Sequence, residues 1–217
     1  MTSRSDRFTI NRRWSMLDRM VKSARLDKDT FLDLKEDSSA IGQALIVLAL
    51  AGASFGIGFV SLIGYRGVVP LVLGAAFGSI FSIVLGFVWL FLTFLVGTRI
   101  FHGTSDYWSL ARPLFFATSP GLVFLIMLIP VSVVPDIARA VGVAWIAIST
   151  VLAIRAALGL DTQRSFLTFI LVALIVLIGY GLVSSVKNQF GPLAFARKTY
   201  YIIVQESESL SQRSCIC

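Results

Sequence analysis

Five uninterrupted apolar runs dominate this chain, and no soluble fold can bury them. A helix crossing a hydrocarbon core of about 30 Å needs about 20 apolar residues. The first run, 40–63, contains no charged residue. The second runs from 69 to 96, the third from 114 to 134, the fourth from 138 to 158 and the fifth from 166 to 186. These runs predict an all-α polytopic membrane bundle of about five spans. A cytoplasmic N-terminal segment, 1–39, precedes the membrane domain 40–186, and a C-terminal tail, 187–217, follows it. Composition agrees: 56% of the residues are hydrophobic and only 14% charged, where soluble domains carry about 25% charge.

The charge is concentrated before the first span. Residues 1–39 hold 9 Lys/Arg and 7 Asp/Glu, leaving 10 basic and 5 acidic residues for the rest of the chain. With the N-terminus placed in the cytoplasm, 13 basic residues fall inside and 6 outside. Lys/Arg excess on cytoplasmic segments sets orientation, so the expected topology is N-in. The net charge of +7 therefore reads as a boundary pattern, with no nucleic-acid partner expected. No signal-peptide pattern opens the sequence, so insertion is expected to begin from an internal span. Cys215 and Cys217 stand one residue apart, too close to staple a fold.

Ile10, Trp14, Leu17, Val21 and Ala24 recur at helical spacing. Arg12, Arg13, Arg19, Lys22 and Arg25 fall largely off that stripe, and Trp14 suits a headgroup interface. Two readings stay open: an amphipathic helix lying on an anionic leaflet, with Arg12, Arg13, Trp14, Arg19, Lys22 and Arg25 at the membrane surface, or a helix packed on the protein's own loops. Thr30-x-x-Asp33 resembles a helix start. Tyr200 to Val204 has strand propensity.

Small residues form a second pattern. Gly74, Gly78, Ser82 and Gly86 recur every four residues in the second run, and Gly52 and Gly56 do so in the first. Bare helix faces let backbones approach closely in lipid. They fit packing of the first two spans on each other, or a seam between copies. Pro120 should kink the third span. Beside Ser119 and Thr118 it could also form a lipid- or ligand-facing notch.

The spans carry essentially no charge, which disfavours ion-coupled transport. Their hydroxyls, Ser54, Ser79, Ser119, Ser149, Thr168 and Tyr180, need no substrate, because a helical hydroxyl can bond the carbonyl four residues back. His102, the sole histidine, lies in a connection near Asp106. No Ser–His pair, metal-ligand cluster or phosphate loop is legible, so no enzyme, cofactor or metal is expected.

Several features, taken in order, resemble the Yip family of Ypt/Rab-interacting membrane proteins, and in particular its prokaryotic members. Phe31-Leu32-x-Leu34 leads into the first span. His102-Gly103-Thr104-Ser105 and the stretch Tyr107 to Arg112 follow the second. Phe116-Ala117-Thr118-Ser119-Pro120, Trp145 and Gly159-Leu160 complete the set, across residues 31–186. The resemblance implies five helices with a cytoplasmic N-terminus, no catalytic residues and, in eukaryotic members, roles in vesicle trafficking with Rab GTPases. Two functions are therefore expected from different classes. One is a non-enzymatic scaffold or adaptor contacting lipid headgroups, other membrane proteins or itself. The alternative is a passive channel or small-solute permease. The prokaryotic cytoplasmic membrane is the expected location.

Overall fold

A computed structural model describes residues 15–64, 67–129 and 133–190, with side chains through Ser185. The described chain is helical: α1 (Met16–Ala24), α2 (Lys28–Glu36), α3 (Ile41–Leu62), α4 (Val68–Arg99), α5 (Tyr107–Phe116), α6 (Val134–Leu158) and α7 (Thr162–Phe190), with 3-10 segments at Ser38–Ala40 and Ser119–Leu128. Five segments are long and apolar enough to cross a membrane: Ser38–Leu62, Val68–Arg99, Tyr107–Leu128, Val134–Leu158 and Thr162–Ser185. The protein is thus an all-α polytopic membrane bundle. Tyr200–Val204, Cys215 and Cys217 lie outside the described residues. Contacts divide the chain into two compact units, 1–172 and 173–217. The packing described below belongs to the first.

The small-residue stripe is the seam between α3 and α4. A Cβ added at Gly56 would overlap the carbonyl oxygen of Gly74, and one at Gly78 would overlap that of Gly52. Gly52 faces Ser82, and Gly86 faces the side chain of Leu48. Two hydroxyls cross the seam. Ser79 Oγ donates to the Ala49 carbonyl at 3.0 Å and Ser82 Oγ to the Leu48 carbonyl at 3.1 Å. Ser79 therefore departs from the expected bond to its own helix, whereas Ser54 and Thr168 follow it. The reason is proximity: with no Cβ at Gly52 or Gly78, the α3 carbonyls come within reach of α4.

The third span departs most from its sequence reading. It begins at Tyr107 rather than Leu114, and Pro113 lies inside α5. The α-helix stops at Phe116. The ten-residue 3-10 run that follows has Pro120 at its start, so Pro120 marks a junction between helix types, not a kink within one helix. Such runs seldom exceed three or four residues, because their hydrogen-bond geometry is poorer. This one survives because protein surrounds it: 72% of the third span's window is buried, against 11–39% for the other four. Gly58 of α3 and Gly142 of α6 admit Phe124, while Gly121 lets the segment approach Ala51. Irregular backbone at membrane depth is tolerated only where protein or a water-lined cavity receives it.

At the end of α6, Gly159 takes the left-handed conformation (φ 66°) and donates its N–H to the Arg155 carbonyl, as a C-terminal glycine should. In the first eleven residues of α7, Phe169 packs at a tilt against Trp89 of α4 with ring centroids 5.5 Å apart. Ser165, Thr168 and Val172 are buried there.

These contacts predict opposite outcomes for two glycines on α3. Gly56→Leu forces a side chain into the Gly74 backbone and should cost at least the 1–3 kcal/mol typical of overpacking. A Cβ added at Gly42 would meet nothing within 4 Å, so Gly42→Ala should be neutral or stabilising by up to about 1 kcal/mol. Unfolding midpoints in detergent micelles check both. Equal effects would contradict the seam.

Candidate functional site

The polar part of the molecule is a helical hairpin, α1–α2, docked on the membrane bundle. Ser15 caps α1 by accepting from the Asp18 N–H. Asp27 caps α2 by accepting from the Asp29 N–H and from the Thr30 hydroxyl at 2.9 Å. The start of α2 is therefore set by Asp27, with Thr30 as its partner and not the cap itself. A short carboxylate before the first turn satisfies donors that have no helical partner.

α1 docks through a different face from the one its periodicity suggests. Met20 and Ser23 are buried and Met16 packs against the core, while Leu17 and Val21 are 69% and 50% exposed. The helix has two partly apolar sides, and the thinner one faces the protein. Of the cations expected at the membrane surface, Arg19 turns inward. Its guanidinium meets Asp37 Oδ2 at 2.6 Å and Gln43 Oε1 at 3.4 Å. Lys22 pairs with Asp18 one turn back at 3.4 Å, and Arg25 is exposed. Arg12, Arg13 and Trp14 lie outside the described residues.

α2 buries Thr30, Phe31 and Leu34. Phe31 packs with Ala117, at the α5 to 3-10 junction, and with Ala153 of α6. Leu34 shares a cluster with Met20, Ala44, Leu110 and Leu158. Two hydrogen bonds fix the ends of the hairpin. Arg112 Nη1 of α5 donates to the Lys35 carbonyl at 2.6 Å, and Trp145 Nε1 of α6 donates to the Ala24 carbonyl at 2.8 Å. Both carbonyls belong to last turns, where no helical N–H is available, and a cation there also meets the negative end of the helix dipole. Sequence reading singled out neither bond, because each joins residues far apart in the chain. Ordered from Trp145 to Ala153 along α6, the contacts stand the hairpin upright beside the bundle.

The dock is polar where the α3–α4 seam is closed. Arg112 is 8% exposed, and its Nε has no partner. The hydroxyls of Ser23, Ser119 and Ser149 are likewise buried and unpartnered. Pro120 and Gly121 are buried beside Ser119, so no notch opens to lipid there. His102 is exposed in the connection after α4, with φ 56°. Among the described residues, no three His, Cys, Asp or Glu side chains converge as a metal site would require.

Two hairpin carboxylates titrate in opposite directions. Bonds from the Ser39 hydroxyl and from Arg19, with the Ser39 N–H, hold Asp37 below its usual range against partial burial. Burial, reinforced by Asp29, Glu36 and Asp27, pushes Asp33 up, with Arg19 opposing. Asp37 thus adds stability above its unfolded value, and this is lost as pH falls through its lower folded value. The folded form binds the Asp33 proton more tightly than the unfolded form does. Asp33 therefore weakens the fold at neutral pH, and the penalty fades as pH falls through its raised value.

Two outcomes follow. Arg112→Ala strands the Lys35 carbonyl, at a cost of about 1–3 kcal/mol. Amide exchange across Lys28–Glu36 should then speed up about tenfold or more, and unchanged exchange would contradict the clasp. Asp33→Asn should slow exchange in the hairpin at pH 7, with the gain shrinking on acidification. A gain that grew with acidity would contradict the assigned direction.

Comparison with known proteins places this architecture. The family model of the Yip1 domain matches residues 26–184, which takes in α2, the dock on α5 and α6, and all five membrane-crossing segments nearly to their end. No curated protein and no solved structure gives a match. On the extent of that match, the chain belongs to the Yip1 domain family.

Proposed function

We propose that the protein is a non-enzymatic membrane scaffold or adaptor of the Yip type, acting in membrane organisation or trafficking. The proposed setting is a prokaryotic cytoplasmic membrane with the N-terminus in the cytoplasm. One observation carries this reading: the hairpin is clasped to the bundle by one side and turns Leu17, Val21 and Leu32 outward, 69%, 50% and 48% exposed. Side chains of this kind, rimmed by charge, suit contact with another protein or with lipid. The charge divides the work. Residues 1–14 hold 4 basic and 1 acidic residue, whereas 15–39 hold 5 and 6. The first stretch, with Arg12 and Arg13, suits anionic headgroups. The hairpin itself is close to neutral and suits a protein partner or a second copy.

A second reading, a passive channel or small-solute permease, draws on the buried unpartnered hydroxyls of Ser119 and Ser149. Solute flux into proteoliposomes would favour it.

A photo-crosslinking residue at Leu17 or Leu32 tests the adaptor reading in native membranes. It should capture a discrete protein adduct, whereas the same residue at Val72, exposed on α4, should capture lipid. Lipid adducts alone at all three positions would overturn it.

A further inference from the structure

The hairpin stands deeper than a surface element should. Trp145, which holds the Ala24 carbonyl, lies 13 residues before Leu158, the end of α6. The Leu158 side chain meets Gly97 of α4, and Val84 lies 13 residues before Gly97. Both helices run toward the N-terminal side, so Ala24, Trp145 and Val84 share one level. On α4 that level falls between Ser82 and Gly86, both of which touch Leu48 of α3. Leu48 is 10 residues past Ser38, where the first span begins, or about 15 Å at 1.5 Å per residue. The length of α2 gives the same answer independently: its 9 residues carry the chain about 13 Å back from the tip to that start.

The first span has 25 residues, about five more than a 30 Å core requires. Even with all five placed on the N-terminal side, the tip lies about 7 Å inside the hydrocarbon level. Yet Arg25, Lys28 and Asp29 at this tip are exposed. Charges of both signs facing lipid tails at that depth are costly, and the cost is relieved by local thinning and water entry.

We propose that phospholipid headgroups descend beside α6 to meet the hairpin tip, making this flank a headgroup-binding surface set below the ordinary membrane plane. Arg25 and Lys28 meet lipid phosphates, and Asp29 meets the ammonium of a zwitterionic headgroup. The inference rests on the depth of the tip and not on the adaptor reading, so a failure to capture a protein partner leaves it standing.

The test compares two lipid-facing positions at one level on different flanks. Ile148 of α6 is 53% exposed and Val88 of α4 46% exposed, 10 residues before Leu158 and 9 before Gly97 respectively. In a background with Cys215→Ser and Cys217→Ser, spin labels are placed on Ile148→Cys or Val88→Cys. The protein is reconstituted in phosphatidylethanolamine–phosphatidylglycerol vesicles containing a minor fraction of lipid with a nickel-chelating headgroup. The label at 148 should read at least about 5 Å closer to the headgroups than the label at 88. Equal depth would overturn the proposal. Relaxation at 148 by a water-soluble nickel complex but not by the nickel lipid would also overturn it, because water would then enter without headgroups.

Discussion

Every backbone N–H and C=O within the hydrocarbon must find a partner inside the protein, and the third span is where this chain comes closest to breaking that rule. Pro113 and Pro120 remove two donors, and the helix gives way at Phe116 to ten residues of 3-10 backbone. Exposed to lipid, unpaired groups would each cost several kcal/mol. The rest of the bundle is arranged so that they are not exposed. α3 and α6 close on the 3-10 segment from two sides, thinned at Gly58 and Gly142 to admit Phe124, and α2 covers the junction with Phe31. The other spans can be lipid-facing over most of their surface because this one is not.

The hairpin follows from the same constraint. Covering the break at Ala117 requires an element that descends beside the bundle, and α2 does so at the cost of carrying charge downward. Besides the apolar contacts of Phe31 and Leu34, its dock uses directional bonds from Arg112 to Lys35 and from Trp145 to Ala24, while Arg19 ties α1 to Asp37 within the hairpin. The α3–α4 seam, by contrast, is made of backbone contact. A close-packed seam changes only by unfolding, whereas an interface of a few bonds with buried hydroxyls left over can loosen locally.

Much of this was legible in the sequence, because hydrophobic length is a local property. The five apolar runs gave the spans, and the four-residue spacing of Gly74, Gly78, Ser82 and Gly86 identified a bare face. That the face is filled by α3 could only be seen once Gly52 and Gly56 were placed opposite it. At α1 the periodicity picked out Leu17 and Val21, which stay exposed, and gave no sign that Met16, Met20 and Ser23 make the contact with the protein. Proline marked the third span as irregular but could not show that the irregularity begins a turn earlier and runs on as 3-10 helix. The clasp was invisible for a different reason. Its donors, Arg112 and Trp145, stand 77 and 121 residues from their acceptors, and a backbone acceptor has no side-chain signature.

The hairpin stands upright against α6, held there by the Trp145–Ala24 bond and by Phe31 on Ala153. A short bis-thiol crosslinker tests it directly, applied in native membranes to a chain lacking Cys215 and Cys217 and carrying Ala24→Cys with Trp145→Cys. Rapid intramolecular crosslinking of this pair, with none between Ala24→Cys and Ile137→Cys about two turns before Trp145 on α6, is the expected result. No crosslink to position 145, with Ala24→Cys fully reactive toward a membrane-impermeant maleimide, would contradict the upright hairpin.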